Sequence, residues 1–393
     1  MFKCTMPLSE SDLTWPPPGI PLGMTVPRYY AEIGRQHIMR MLEQGIPFEH
    51  IRKVLGDTYL DAFYAANALG LLTPRTAGVP HMEEELVELA HFMLRWPLSG
   101  HANFNLSHGL ATSLLLTDCS KLPVEDVQWP FPTFLVTLPY PDSLLYITSP
   151  KGVLAPVRWL VFHTGRGHGD DVSTRTRQAS AYDAVWRRYT KDKDTLRFLA
   201  ELETVRSSAD LRKFTVVRLL TETGLSAFSR MPWPDEGAAV ESWIGGSDIE
   251  FEGGDMYNLT DADRQATFAA SRLLVNLALY VASQVRRQPE LLTQEDPRRQ
   301  LARRNPLTTH NLGAEIKLPK ELRDAAKAFA MRGTNPTAWK LHLRHVVRGH
   351  WREQPRGTGR RLRDRIWIQP YWRGPDSVTS AERAYTVDTL VKP

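Results

Sequence analysis

The densest chemistry in the chain lies between residues 340 and 373. Lys340, Arg344, Arg348, Arg352, Arg356, Arg360, Arg361, Arg363, Arg365 and Arg373 stand there against only Glu353 and Asp364. Trp351, Trp367, Tyr371 and Trp372 are interleaved with them. Arginine suits bidentate phosphate contacts and stacking on bases. Cations beside flat rings are what a single-stranded nucleic acid needs: charge follows the backbone and rings accept bases. The residues expected to touch nucleic acid are Arg344, Arg348, His350, Trp351, Arg352, Arg356, Arg360, Arg361, Arg363, Trp367, Tyr371, Trp372 and Arg373. Binding of this kind weakens steeply with salt. Two plainer readings stand beside it. The stretch faces an acidic protein, or a strand such as Arg365-Ile366-Trp367-Ile368 buries its apolar face and leaves its arginines in water.

Within the same stretch, His345, Arg348, His350 and Arg352 raise ribonuclease chemistry. A metal-free ribonuclease needs a general base, a general acid and a cation beside the developing phosphorane. Two histidines near an arginine supply all three, so His345 and His350 are the weak candidates for catalysis. Their spacing suits ordinary hydrogen-bonding residues equally well. A second cluster, His163, His168, Asp170 and Asp171, has ligand types for a metal. Consecutive residues rarely point inward together, and no helical histidine pair is present, so the cluster reads as a solvated loop. Gly165-x-Gly167-x-Gly169 lacks the Lys-Ser/Thr of a phosphate loop and the spacing of a dinucleotide fingerprint. Cys4 and Cys119 make neither a disulfide framework, a zinc set nor a triad. No metal and no cofactor is expected. Phe48 to Ala65 has the outline of a helix-turn-helix. Its second helix, Thr58 to Asn67, carries no Arg or Lys, so a packed helical subdomain is the better reading.

The elements that must position these residues point to an α+β fold. Residues 1–23 form a Pro-rich lead-in, and 24–125 a helical subdomain. A helix begins near Val26 and breaks at Gly45–Pro47. Another runs Phe48 to Leu55, a third ends near Leu71, and a fourth spans Glu83 to Trp96. Residues 126–287 read as the α+β core, a central antiparallel sheet with packed helices. Its strands are Thr133 to Leu138, Leu144 to Thr148, Val157 to His163, Leu196 to Glu201 and Phe214 to Leu220. Gly165 to Thr176 reads as a loop, Gln178 to Lys191 and Glu236 to Ile244 as helices. Thr260 caps a long helix, Asp261 to Arg287. Residues 288–339 are a basic linker, Gln288 to Gly313, and a short helix, Leu318 to Ala330. Residues 340–393 form the basic aromatic segment, which adds one strand, Arg365 to Ile368. A chain of 393 residues with net charge +5 and pI near 9.1 has an ordinary globular composition. Its two cysteines fit a reducing compartment. Neither a signal peptide nor a membrane span is expected, the nearest apolar run being Leu273 to Ala282.

One ordered set of residues carries a family likeness. His345-Val-Val-Arg348-Gly349-His350-Trp351, then Gly357-Thr358-Gly359, then Arg365-Ile-Trp-Ile-Gln369-Pro370 resembles the end of the type V-A anti-CRISPR proteins of phages and plasmids. The apolar hairpin Phe134 to Ile147 and the helix Leu273 to Ala282 resemble the family in pattern. The kind resembled lowers production of the type V CRISPR effector nuclease through its messenger RNA. The resemblance implies a regulator carried by a mobile element, evading host defence in the cytoplasm of a bacterial host. It would recognise a target's nascent N-terminal peptide, with RNA or the ribosome as a second partner and no membrane. Glu353-Gln354-Pro355-Arg356 departs from the family, where an aromatic, His-containing stretch is common. Three functions follow for comparison: the nascent-peptide regulator, a ribonuclease centred on His345 and His350, and a DNA-binding factor using residues 48–67.

Overall fold

The computed structural model describes residues 25–55, 91–140, 142–148, 153–168, 172–207, 211–222, 226–234, 237–245, 260–286, 289–292, 296–303, 307–314 and 345–373, with 316, 318, 322–324, 326, 327 and 330. Its helices are α1 (Val26–Glu43), α2 (Phe48–Leu55), α3 (His108–Leu115), α4 (Val172–Asp192), α5 (Thr195–Ser207), α6 (Val240–Gly245), α7 (Asp261–Val285) and α8 (Pro297–Leu301). Residues 91–98 are also helical. The strands are β1 (Ala102–Leu106), β2 (Thr117–Asp118), β3 (Thr133–Thr137), β4 (Tyr146–Thr148), β5 (Leu154–His168), β6 (Leu211–Thr221), β7 (Ser226–Pro232), β8 (Thr308–Leu312), β9 (His345–Val347), β10 (Gly349–Arg356), β11 (Leu362–Ile368) and β12 (Tyr371–Arg373). The lead-in 1–23, the third helix with its Thr58 to Asn67 segment, and the start of the fourth helix lie outside the described residues.

Alternation along the strands builds the sheet core. Phe134, Val136, Leu160 and Phe162 point to one face and pack with Leu110 and Leu114 of α3 and with α7. Leu135, Trp159 and Val161 point to the other, against Tyr30 and Ala31 of α1 and Phe92, Met93 and Trp96. Period two therefore feeds two apolar layers, and helices cover both. The sheet runs β7-β6-β5-β3-β1-β8, with β4 paired to β5. Its β3, β5, β6 and β7 are antiparallel neighbours, as the sequence leads one to expect. The other side is parallel: β1 pairs with β3 and with β8 in parallel, so the sheet is mixed. Helices α1, α2, α4 and α5 make a further cluster, centred on Ile38, Ile51, Leu55, Tyr182, Phe198 and Leu202.

α7 begins as expected. The Asp263 N–H donates to the Thr260 hydroxyl at 3.2 Å, and the Thr260 N–H donates back to the Asp263 carboxylate at 2.9 Å. This reciprocal cap satisfies two otherwise open donors. The helix is long and apolar enough to cross a membrane by length and composition, and most of that apolar stretch is buried inside the protein.

Four sequence expectations are corrected. Leu196 to Glu201 is helical, in α5, not a strand. Phe198, Leu199 and Leu202 recur at helical spacing and bury in the helical cluster, while Arg197 meets Glu201 at 3.0 Å. Gly165 is not a loop residue, because β5 continues to His168. A Cβ there would lie 2.8 Å from the Phe214 ring and 2.9 Å from His91, so this glycine serves packing rather than a turn. The stretch 288–313 contains α8 and the edge strand β8 rather than a bare linker. The C-terminal segment supplies β9, β10, β11 and β12, and it adds to β2 rather than to the central sheet.

Candidate nucleic-acid interface

The C-terminal strands form one ribbon. β10 pairs with β11, Trp351 opposite Trp367 and His350 opposite Ile368. β9 continues in the same register on β12, with Val347 opposite Tyr371. The pairing lapses only where Arg348 and Gly349 face Gln369 and Pro370, since proline has no N–H to donate to a ladder. At this bend Gly349 pairs with Thr117 of β2. A Cβ on Gly349 would lie 2.4 Å from the Thr117 hydroxyl and 3.0 Å from the Pro370 ring. Gly349→Ala is therefore expected to lift the ribbon from β2 at a cost of about 1–3 kcal/mol. Thermal unfolding checks this, and an unchanged midpoint would count against the tight fit.

Both tryptophans of β10 and β11 face the body of the protein. Their rings stack at 6.3 Å between centroids, and Tyr280 of α7 meets Trp367 edge-on at 5.3 Å. The Trp351 indole N–H donates to Asn276 Oδ1 at 2.9 Å, and the Trp367 N–H to the Thr117 hydroxyl at 3.0 Å. Asn276 is fully buried, and its amide donates to the Leu114 and Thr117 carbonyls, each at 3.0 Å. The plainer reading of a strand that buries its apolar face describes these two rings. Asn276 was not singled out by the sequence reading. Its signal was a lone amide in the middle of an apolar run, Leu273 to Ala282.

The arginines divide into two groups. Arg365 donates to Glu353 at 2.7 Å and to Asp126 at 2.8 Å, which ties the ribbon to the body. Arg356 meets Asp364 at 2.8 Å. Arg348 is half-buried 3.9 Å from Asp118, and burial draws its pKa down while Asp118 opposes that. Arg352, Arg360, Arg361 and Arg363 are exposed, and among the described residues none of these four has an ion-pair partner. Arg360, Arg361 and Arg363 cluster at the end of the ribbon, where Gly357, Gly359 and Arg360 take positive φ of 77°, 71° and 54° to reverse the chain, whereas Arg352 stands farther back on β10, opposite Ile366. Arg344 and the side chains of His345, Trp372 and Arg373 lie outside the described residues.

The other candidates are dispersed. His350 is exposed, its Nδ1 3.3 Å from the Arg348 carbonyl. Positions 345 and 350 lie about 17 Å apart along extended backbone. His163 is buried on β5, edge-on to His91 at 4.9 Å, and Asp170 and Asp171 lie outside the described residues. Among the described residues no group of three or more His, Cys, Asp or Glu is placed to hold a metal. Burial pushes the Cys119 thiol up to about 12, far from a thiolate at neutral pH.

A second surface escaped the sequence reading. β8 ends the central sheet, and among the described residues no strand pairs with its outer side. The Thr308 N–H donates to the His101 carbonyl and the Leu312 carbonyl accepts from Ser107, so these positions turn toward β1. Thr309 and Asn311, between them, turn their backbone groups to the open side and are exposed. Their side chains extend a polar ladder: Asn103 donates to Thr309 at 3.4 Å and Asn105 to Asn311 at 2.8 Å.

Comparison with known proteins places this geometry. The model of the AcrVA2-like family, described as the anti-CRISPR type V subtype A2 family, matches residues 104–375, from β1 through the end of the ribbon. A solved structure titled "Crystal structure of AcrVA2" is similar at a TM-score of 0.38 and 12% identity, covering 87% of this chain and 94% of that one. No curated protein matches the chain.

Proposed function

Because the chain belongs to the anti-CRISPR type V subtype A2 family, we propose that it lowers synthesis of a target protein during translation. It engages the target's nascent N-terminal peptide, and loss of the messenger RNA follows. The observation that carries this reading is the exposed arginine tip of the ribbon, where Arg360, Arg361 and Arg363 have no ion-pair partner among the described residues. Such a tip suits RNA on or near a ribosome. The peptide would add as a strand to the open side of β8, where backbone groups give affinity and side chains give choice.

The test is co-purification of the tagged protein from translating cells, with and without RNase. Ribosomes, or one messenger RNA with its nascent N-terminus, are expected to be enriched. Clean protein without RNA or ribosomes would sink the reading. Thr309→Pro removes one outward N–H and leaves the β1 ladder intact. It is expected to reduce recovery of the peptide at least tenfold while RNA recovery stays unchanged. Equal recovery of peptide would move its site away from β8.

A further inference from the structure

Resting on the reading of β8 as the peptide site, we infer that this edge selects a strand with amide or hydroxyl side chains at two positions, i and i+2, and an apolar side chain between them. Two polar rungs cross the sheet and end at the open edge. In the first, the Thr137 hydroxyl of β3 donates to Asn103 Oδ1 at 3.0 Å, and the Asn103 amide donates to the Thr309 hydroxyl at 3.4 Å. In the second, the Asn105 amide donates to Asn311 Oδ1 at 2.8 Å. Thr309 and Asn311 thus each accept from β1 through oxygen, which leaves a hydroxyl hydrogen and an amide NH2 for the open side. Both residues are exposed. They are also the two whose backbone groups turn outward, so a strand that bonds to this edge sets two of its own residues directly beside them.

Side chains set beside each other across a ladder share a face and interact. An amide or hydroxyl there accepts from Thr309 and Asn311 and continues each rung, as stacked amides do between strands. Lysine and arginine only donate, and would set donor against donor. An aliphatic side chain would leave both rungs to water. The residue between the two polar positions turns to the other face. That face holds His310, whose ring lies 5.3 Å from Phe104 and 6.1 Å from Phe131, and the buried Leu312. These surroundings are apolar and favour an apolar neighbour. The edge itself therefore dictates the alternation, with hydrogen-bonding rungs on one face and an aromatic layer on the other.

The experiment measures binding of the full chain, by fluorescence anisotropy, to labelled peptides that differ only in a central triplet between identical glycine flanks. The triplet Asn-Val-Asn is expected to bind about fivefold more tightly than Val-Val-Val, Lys-Val-Lys or the phase-shifted Val-Asn-Val. The double variant Thr309→Val, Asn311→Val is expected to keep its thermal unfolding midpoint and to reverse the order, with Val-Val-Val bound most tightly. Thr309→Pro is expected to weaken every peptide, because it removes an outward N–H that all of them use. Equal binding of all the peptides by the wild type, weakened by Thr309→Pro, overturns the ladder and leaves β8 standing as the peptide site. A preference for Asn-Val-Asn retained by the double variant overturns the assignment to Thr309 and Asn311. Peptide binding untouched by Thr309→Pro, or no binding of any peptide, overturns the ladder and the β8 site together.

Discussion

Asn276→Ala is expected to cost about 3–5 kcal/mol of stability, although the residue touches no solvent and lies far from the ribbon in sequence. Asn276 makes three hydrogen bonds, two donated to the Leu114 and Thr117 carbonyls and one accepted from the Trp351 indole. Truncation leaves these groups without that partner, and each buried polar group so stranded costs about 1–3 kcal/mol. A small cavity adds to the loss. The amide joins α3, β2, α7 and the ribbon at one point, so its removal also frees the ribbon to leave α7. Trp351→Phe keeps most of the ring contact and removes the N–H, and is expected to cost about 1–2 kcal/mol. The two substitutions share a bond, so their effects should fall short of additivity by about 1 kcal/mol. Chemical denaturation of the wild type, both single variants and the double variant completes the cycle. A cost below about 1 kcal/mol for Asn276→Ala would mean that water replaces the amide, and the junction would lose its structural role.

The sequence made α7 legible because its cap and its apolar run agree, and made β3 to β6 legible in part because aliphatic and aromatic residues alternate between turns. β1 and β8 were hidden for a physical reason. Asn103 and Asn105 of Ala102-Asn-Phe-Asn-Leu106 and Asn311 of Thr308-Thr-His-Asn-Leu312 are residues of weak strand preference. Those residues find partners only across strands, Asn103 with Thr309 and Asn105 with Asn311, and a single stretch cannot display such pairs. The α5 stretch was misread because Leu196 to Glu201 is too short for helical and strand spacing to separate. The arginine segment shows both sides of the problem. Its charge and its Gly-rich turn were plain, but charge alone does not tell a bonded guanidinium from an exposed one. Arg365 and Arg363 differ by two residues, yet the first is held by Glu353 and Asp126 and the second is exposed at the tip. Register decides that, and register is a property of the pair of strands. The Gly349–His350–Trp351 likeness has a packing explanation in two of its three residues: glycine for the approach to Thr117, tryptophan for the bond to Asn276.

Stability is expected to fall as the pH drops from about 6.5 toward 3, with His101 as one defined source of the loss. His101 is fully buried and its pKa is lowered from 6.5 to about 3, first by burial and further by nearby Arg35. Its Nε2 lies 3.3 Å from the Ala31 carbonyl, an acceptor, so the neutral ring carries its proton there. Above pH 6.5 both folded and unfolded chains hold this ring neutral, and its contribution is fully present. Below that value the unfolded ring takes up a proton that the folded ring refuses, so folding loses about 1.4 kcal/mol per pH unit. The loss continues toward the folded value near 3 and amounts to about 5 kcal/mol at most. Glu32, Asp118, Asp142 and Glu201 have lowered pKa values and act in the same direction, but only at the acid end of this range. Between about pH 6.5 and 4.5 the histidine effect is therefore separable from the carboxylates. His310, also lowered by burial, adds to it, so the measurement must be a difference between chains. His101→Asn is the suitable variant, because His101 has a φ of 47° and asparagine tolerates that left-handed backbone. The stability of the wild type minus that of the variant should shrink by roughly 2 kcal/mol between pH 6.5 and 4.5. A difference that stays constant with pH would show that the ring is protonated in the folded protein, which its burial, with Nδ1 facing no acceptor, and the nearby Arg35 argue against.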